Sequence, residues 1–168
     1  ALAHRGPDDR GVAADEQARL GFVRLAIRAL DDGRQPLEEA SGVIVVCNGE
    51  IDNHRELRAW LLSRGIPVPC AADVAVIPAL YRALGEAFIE RLEGCFALAV
   101  WDPARGRLLL GRDRAGDRPL FFARTSAGVD FASELAALAS CPPQPRALAI
   151  EPLHGFVERS WFMAPTSP

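Results

Sequence analysis

Val43-Ile44-Val45-Val46-Cys47-Asn48-Gly49-Glu50 decides how the rest of this 168-residue chain is read. The β-branched run offers water no polar side, so it reads as a strand buried on both faces. It stops on Asn-Gly-Glu. Asn-Gly favours a tight turn with positive φ, which aims a side-chain amide and a backbone N–H the same way, with a carboxylate one residue on. Two such donors suit a developing oxyanion. An ordinary hairpin turn is the commoner use of the dipeptide, so the turn alone defines no site.

Upstream, residues 1–11 read as a Gly/Pro/Asp loop, and residues 19–27 alternate as a strand. That alternation sets Val23, Leu25 and Ile27 on one face and Phe22, Arg24 and Ala26 on the other, turning Arg24 away from the aliphatic side. Downstream, Asn53 followed by Glu56 has capping-box spacing, Leu57, Trp60 and Leu61 form an apolar stripe, and Gly65 can end the helix. A second helix is expected over 76–84 from Ile77, Leu80, Tyr81 and Leu84, and a shorter one over 86–92. Pro78 falls in its early turns, where the ring clashes with the carbonyl four residues back; either the helix starts later or Asp73 is displaced. Residues 95–101 and 107–112 are apolar runs joined by a Pro/Gly turn, hence a hairpin. Residues 119–124 and 129–132 form a further strand pair, and Ser133 can cap a helix beginning Glu134-Leu135. The Pro-rich stretch from Cys141 to Pro145, and again near Pro165, reads as linker. Strands with a few intervening helices make an α+β fold of two packed sheets.

A chain of this length with 49% hydrophobic residues can bury roughly two-thirds of its unfolded surface in one core. A net charge of −3 gives no long-range attraction for nucleic acid or anionic membrane. No apolar run approaches the roughly 20 residues of a membrane span, and no secretory leader is recognisable, so a cytoplasmic protein is the default. All 19 basic residues are arginine, which excludes lysine chemistry. Cys47, Cys70, Cys95 and Cys141 are widely spaced without a C-x-x-C pair, and Cys47 and Cys95 suit small buried hydrophobes in strands. His4, His54 and His154 share no metal-ligand spacing. No metal site is expected.

Order and spacing carry more than any single motif. His4-Arg5-Gly6-Pro7-Asp8 is followed by Arg24-Leu25-Ala26-Ile27, Gln35-Pro36-Leu37, Asn48-Gly49-Glu50-Ile51 and Asp73 before an apolar helix. Then come Gly94-Cys95-Phe96-Ala97, Trp101-Asp102, Arg112-Asp113-Arg114-Ala115-Gly116-Asp117-Arg118-Pro119-Leu120 and Phe131-Ala132-Ser133-Glu134. Over nearly the whole chain this series resembles the glutaminase domain of asparagine synthase, a class II glutamine amidotransferase of the N-terminal-nucleophile hydrolase superfamily. The resemblance implies an αββα sandwich with residues 1–140 as the amidotransferase domain, lacking its first strand. It also implies residues 141–168 as the linker toward an absent synthetase domain, whose entry Trp161-Phe162-Met163 resembles. The family nucleophile is a terminal cysteine, which the resemblance places ahead of Ala1; the chain alone is therefore expected not to turn over glutamine.

Residue by residue, the resemblance implies that Asn48 and Gly49 form the oxyanion hole. Arg24 would grip the carboxylate of L-glutamine, Glu50 and Asp73 would contact its ammonium group, with simple helix capping the competing account of Asp73, and Arg5 would lie beside the nucleophile. Asp8 would shape its loop, and Arg112, Asp113 and Arg118 would form a charged loop near the partner domain. No cofactor is implied for this chain: ATP and Mg belong to the synthetase domain, and the sequence has no Ser-Gly-Gly-x-Asp-Ser pyrophosphate loop. Expected partners are L-glutamine and that domain, with a homodimer left open. Asp52 stands where the family has tyrosine and Ala75 where it has glutamate. These departures raise a second reading, a catalytically dead glutaminase-like domain kept for folding and docking, as in β-lactam synthetase relatives. Purine- and hexosamine-type class II amidotransferases are disfavoured by residues 48–53 and 112–120.

Overall fold

A computed structural model describes residues 1–26, 32–140 and 150–160. Its centre is an antiparallel sheet in the order β3-β4-β5-β6, formed by Leu37–Glu38, Ile44–Ile51, Gly94–Asp102 and Arg107–Arg112. Beside it lie two two-stranded ribbons, β1–β2 (Asp9–Ala14 and Arg19–Arg24) and β7–β8 (Phe121–Thr125 and Gly128–Ala132). The helices are α1 (His54–Leu62), α2 (Val76–Leu84), α3 (Leu135–Ala139) and α4 (Ile150–Arg159), with 3-10 turns at Ala3–Arg5, Asp73–Ala75 and Gly85–Arg91.

Strand β4 is buried on both sides, as its β-branched run requires. Val45 and Cys47 face one core, with Leu57 and Leu61 of α1, Ile77 and Leu80 of α2, and Phe88. Ile44 and Val46 face a second core, with Leu20 of β2, Ala99 and Trp101 of β5, and Phe131 of β8 packed against it. Each large aliphatic or aromatic side chain so enclosed contributes about 1.5–3 kcal/mol. With α3 lying against β7 and β8, the layers run helix, sheet, β ribbons, helix, which is the expected α+β sandwich. The second β layer is two separate ribbons and not one continuous sheet.

Several local expectations change. Asn-Gly makes no turn: β4 runs through it to Ile51, with Gly49 paired opposite Phe96 at φ 136°. Residues 9–11, part of the segment 1–11 read as loop, belong to β1, which no apolar period announces and which buries only Ala13. The inward face of β2 carries Leu20 and Phe22, so Arg24 shares the core side of the strand. Leu25, assigned to the aliphatic face, is exposed, and Ile27 lies outside the described residues. Asn53 precedes α1 without capping it by its side chain; it donates to the Arg91 carbonyl (2.9 Å) and accepts from Glu93 N–H (3.1 Å). Ser133 caps nothing, since the residue before α3 is Glu134.

Helix α2 starts where its pattern placed it. Pro78 is its third residue, among the N–H positions that no helix satisfies, so the missing donor costs nothing there. Asp73 sits in the 3-10 turn just ahead. The segment 86–92 is 3-10, not α. Within 141–168, read as linker, residues 150–159 form α4, none of whose residues is buried; Cys141, Pro145 and Trp161-Phe162-Met163 lie outside the described residues. Among the described residues no helix is long and apolar enough to cross a membrane.

Candidate active site

A cavity of about 290 Å³ opens where β2, the end of β4 and the 70s loop meet, close to the ~300 Å³ lower end of small-molecule sites. Arg5, Arg24, Asn48, Gly49, Glu50 and Asp73, drawn from four separate stretches of sequence, all line it.

Main-chain geometry explains what the end of β4 presents. Asp52 N–H bonds the Glu93 carbonyl at 2.8 Å, which fixes the even-numbered residues of β4 as those exchanging bonds with β5; odd-numbered amides turn to the other edge. On that edge Cys47 N–H donates to Gln35 Oε1 (2.6 Å) and Gln35 Nε2 donates to the Cys47 carbonyl (3.0 Å). Two residues past Gly49, Ile51 N–H donates to Asp73 Oδ2 at 2.8 Å. The Gly49 N–H between them faces the cavity edge. Asn48 projects from the same face as Ile44 and Val46, and its Nδ2 is buried without a hydrogen-bond partner. An orphaned buried donor costs about 1–3 kcal/mol, and such exceptions call for a ligand or a catalytic reason.

Arg24 Nη2 donates to the Asp32 carbonyl at 2.8 Å. The Asp32 carboxylate accepts from Ala71 N–H (2.8 Å) and Gly33 N–H (2.9 Å), bonds that hold its carboxyl below the usual range and tie the loop after β2 to the loop before Asp73. Arg5 Nη1 donates to Glu134 Oε1 at 3.1 Å, and His4 Nε2 meets the same oxygen at 2.9 Å. The His4 and then the Arg5 bond lower the Glu134 carboxyl. Arg5 therefore reaches the cavity as one member of an ion pair.

The described cysteines are not poised as thiolates. Burial pushes the Cys47 thiol far above its ordinary range; the Asp117 bond raises Cys95 (Sγ to Oδ2, 3.2 Å), and burial raises Cys70. Low-pKa thiols sit in cationic, accessible surroundings, and none of these does.

Two residues assigned to a docking loop belong to the site's frame. Asp113 is 8% exposed and accepts from the amides of Phe96 (3.1 Å), Asp117 (3.0 Å) and Arg118 (3.2 Å). That closes the loop and brings Arg118 into the cavity lining, with its Nε buried and unpartnered. Arg112 folds back onto the same loop, donating to the Arg118 carbonyl at 2.6 Å. The sequence signal was only a charged run; which of its charges turns inward depends on the β5–β6 register.

Asp113 gives a pH prediction. Burial alone would raise its carboxyl, but the amides of Asp117, Arg118 and Phe96 outweigh burial and hold it below the ordinary 3.8. A depressed folded-state pKa contributes stability above the unfolded value and loses it as pH falls through the folded value. Asp113→Asn is expected to cost about 1.5–3 kcal/mol near neutral pH and to make the acid limb below about pH 4 shallower. Urea midpoints across the acid range test this; a limb superimposable on that of the wild type refutes it.

Departures Asp52 and Ala75 leave the cavity untouched. Asp52 is exposed at the end of β4, Ala75 is packed in the helix-side core, and neither lines the cavity.

Comparison with known proteins identifies the family. The glutamine amidotransferase domain family matches residues 1–168. Asparagine synthetase [glutamine-hydrolyzing] 2 of Bacillus subtilis is 38% identical over 147 residues, covering 87% of this chain and 19% of that protein. Asparagine synthetase B [glutamine-hydrolyzing] of Escherichia coli is 39% identical over 140 residues, 82% of this chain and 25% of that protein. The chain thus spans about a fifth to a quarter of the length of these relatives. Among solved structures, the glutamine phosphoribosylpyrophosphate amidotransferase of B. subtilis superposes with a TM-score of 0.60 at 22% identity, over 72% of this chain and 28% of that one. An allosteric regulatory enzyme of purine biosynthesis superposes with a TM-score of 0.57 at 21% identity, over 72% of this chain and 29% of that one; at such identities the likeness speaks to fold. Residues 1–168 belong to the glutamine amidotransferase domain family and are homologous to the glutaminase domains of asparagine synthetases.

Proposed function

We propose that this chain binds L-glutamine in the β2–β4 cavity and forms the glutaminase part of an asparagine-synthetase-type enzyme, with a cysteine ahead of Ala1 as nucleophile. Thiol attack on the side-chain amide develops an oxyanion, which Asn48 Nδ2 and Gly49 N–H receive. Collapse releases ammonia and leaves a thioester; water then frees glutamate and the thiol. Arg24 pairs with the α-carboxylate through its planar fork, Glu50 and Asp73 attract the ammonium, and Arg5, balanced by Glu134, stands beside the thiol. Ammonia passes to a synthetase domain of the same polypeptide, which uses ATP and Mg; the acceptor is a carboxylate, and the compartment is the cytoplasm. A dead docking domain is the weaker reading, because Asp52 and Ala75 spare the cavity.

The observation that carries this reading is the unpartnered, buried Asn48 Nδ2 beside an outward-facing Gly49 N–H. Heating the 168-residue chain with millimolar L-glutamine or L-glutamate is expected to raise its Tm by mass action, and Arg24→Ala is expected to abolish the shift. The same chain should release no ammonia, whereas the full-length protein should. An unshifted Tm together with an inactive full-length protein overturns the reading.

A further inference from the structure

Gln35 belongs to none of the roles above, yet it lines the cavity and makes two hydrogen bonds to one residue of β4. Its position explains why. The β3–β4 ladder pairs Leu37 with Val45, and the same register carried two residues further sets Gln35 against Cys47. There a side chain does what main chain does elsewhere in the sheet: Oε1 accepts from Cys47 N–H at 2.6 Å and Nε2 donates to the Cys47 carbonyl at 3.0 Å. On the far side of Gly49, Asp73 Oδ2 fastens Ile51 N–H at 2.8 Å. The edge of β4 is thus pinned two residues before and two residues after the glycine, roughly 7 Å each way along the strand. Between these two anchors the Gly49 amide is, among the described residues, the one left to point outward.

We propose that Gln35 is a positioning residue for the oxyanion donors: its carboxamide, bonded in both directions to Cys47, fixes the β4 edge that aims Gly49 N–H and the Asn48 side chain into the cavity. The inference rests on reading the cavity as the glutamine site. Both halves of the carboxamide are needed. Glutamate at this position has no donor for the Cys47 carbonyl, leucine has neither group, and asparagine is one methylene short. Displacements of about 1 Å at such a donor are enough to cost a factor near 10² in rate, while glutamate and ground-state glutamine, which develop no oxyanion, bind as before.

The experiment compares Gln35→Leu and Gln35→Glu with the wild type in the full-length protein, by steady-state ammonia release and by glutamate titration. For Gln35→Leu, kcat is expected to fall about 30- to 100-fold with KM for glutamine and glutamate affinity within about threefold; Gln35→Glu falls between it and the wild type. An unchanged kcat overturns the proposal, and so does an equal loss of kcat and glutamate affinity, which marks general collapse of the cavity. Amide hydrogen exchange on the 168-residue chain supplies a readout independent of turnover. Gln35→Leu should speed exchange at Cys47 at least tenfold and leave Val46 and Val100 protected, and an unchanged Cys47 overturns the proposal. If the wild-type full-length protein releases no ammonia, the glutaminase reading fails while the exchange result still decides the role of Gln35.

Discussion

Asn48→Ala in the full-length protein is expected to lower kcat for ammonia release from L-glutamine by about 10²–10³, some 2.7–4 kcal/mol of barrier, the usual loss of one oxyanion donor. Stability should move the other way or not at all. Asn48 Nδ2 is buried and unsatisfied in the folded chain, so deleting it removes a desolvation penalty and breaks no hydrogen bond made by that atom. A residue kept for folding behaves in the opposite sense: truncation lowers the Tm and spares the rate. KM should change little, because the amide acts on charge that appears only in the transition state. Asn48→Asp tests the sign of the field, since a carboxylate repels the developing oxyanion, and its loss should exceed that of alanine. Steady-state assays with a parallel melt decide the matter. A kcat within threefold of wild type, or a Tm falling by many degrees, removes Asn48 from the oxyanion hole.

What could be seen in the sequence followed the range of the signal. β4, β5 and β6 are legible as unbroken apolar runs, because Val45 and Cys47 enter one core and Ile44 and Val46 the other, and α1 and α2 are legible because Leu57 and Leu61, and Ile77 and Leu80, recur at helical spacing. β1 was not, because a ribbon with one buried residue leaves almost no periodic trace. The Asn-Gly dipeptide was over-read as a turn. Its preference for a turn is outweighed by pairing with β5, which holds Gly49 in the ladder opposite Phe96 while its φ stays positive. Arg24, a lone strand cation suited to a carboxylate, has its role from residue type and resemblance together, but the alternation of Val23 and Leu25 points to the wrong face, since Leu20 and Phe22 form the core side. Gln35, Asp113 and Arg118 show the limit. Each acts through a partner brought close only by the sheet, Cys47 for Gln35 and the Phe96 amide for Asp113, so no local pattern marks them.

Gly49→Ala is expected to be among the most damaging glycine-to-alanine changes in the described residues. A Cβ at this position would lie 1.9 Å from the Cys95 carbonyl oxygen and 2.8 Å from the Phe96 Cα, both main-chain atoms of the neighbouring strand, which cannot step aside as a flexible side chain does. The φ of 136° adds a conformation that alanine rarely adopts. Backbone strain of about 1–3 kcal/mol and overpacking of about 1–3 kcal/mol both apply, so a loss of about 2–6 kcal/mol is expected. Gly94 shows the same crowding from the other strand, since its Cβ would lie 2.2 Å from the Glu50 carbonyl oxygen at φ 141°. At both positions the positive φ turns a Cβ into the backbone of the neighbouring strand, so only glycine fits on either side of this stretch of the β4–β5 ladder. Gly65 is the control: its φ is 71° but nothing stands within 4 Å, so alanine there meets the conformational cost alone, about 1 kcal/mol. Urea unfolding of the three variants separates the effects. A Gly49→Ala midpoint no lower than that of Gly65→Ala would show that β4 and β5 separate easily at this point, and the placement of the Gly49 amide in the oxyanion site would lose its structural basis.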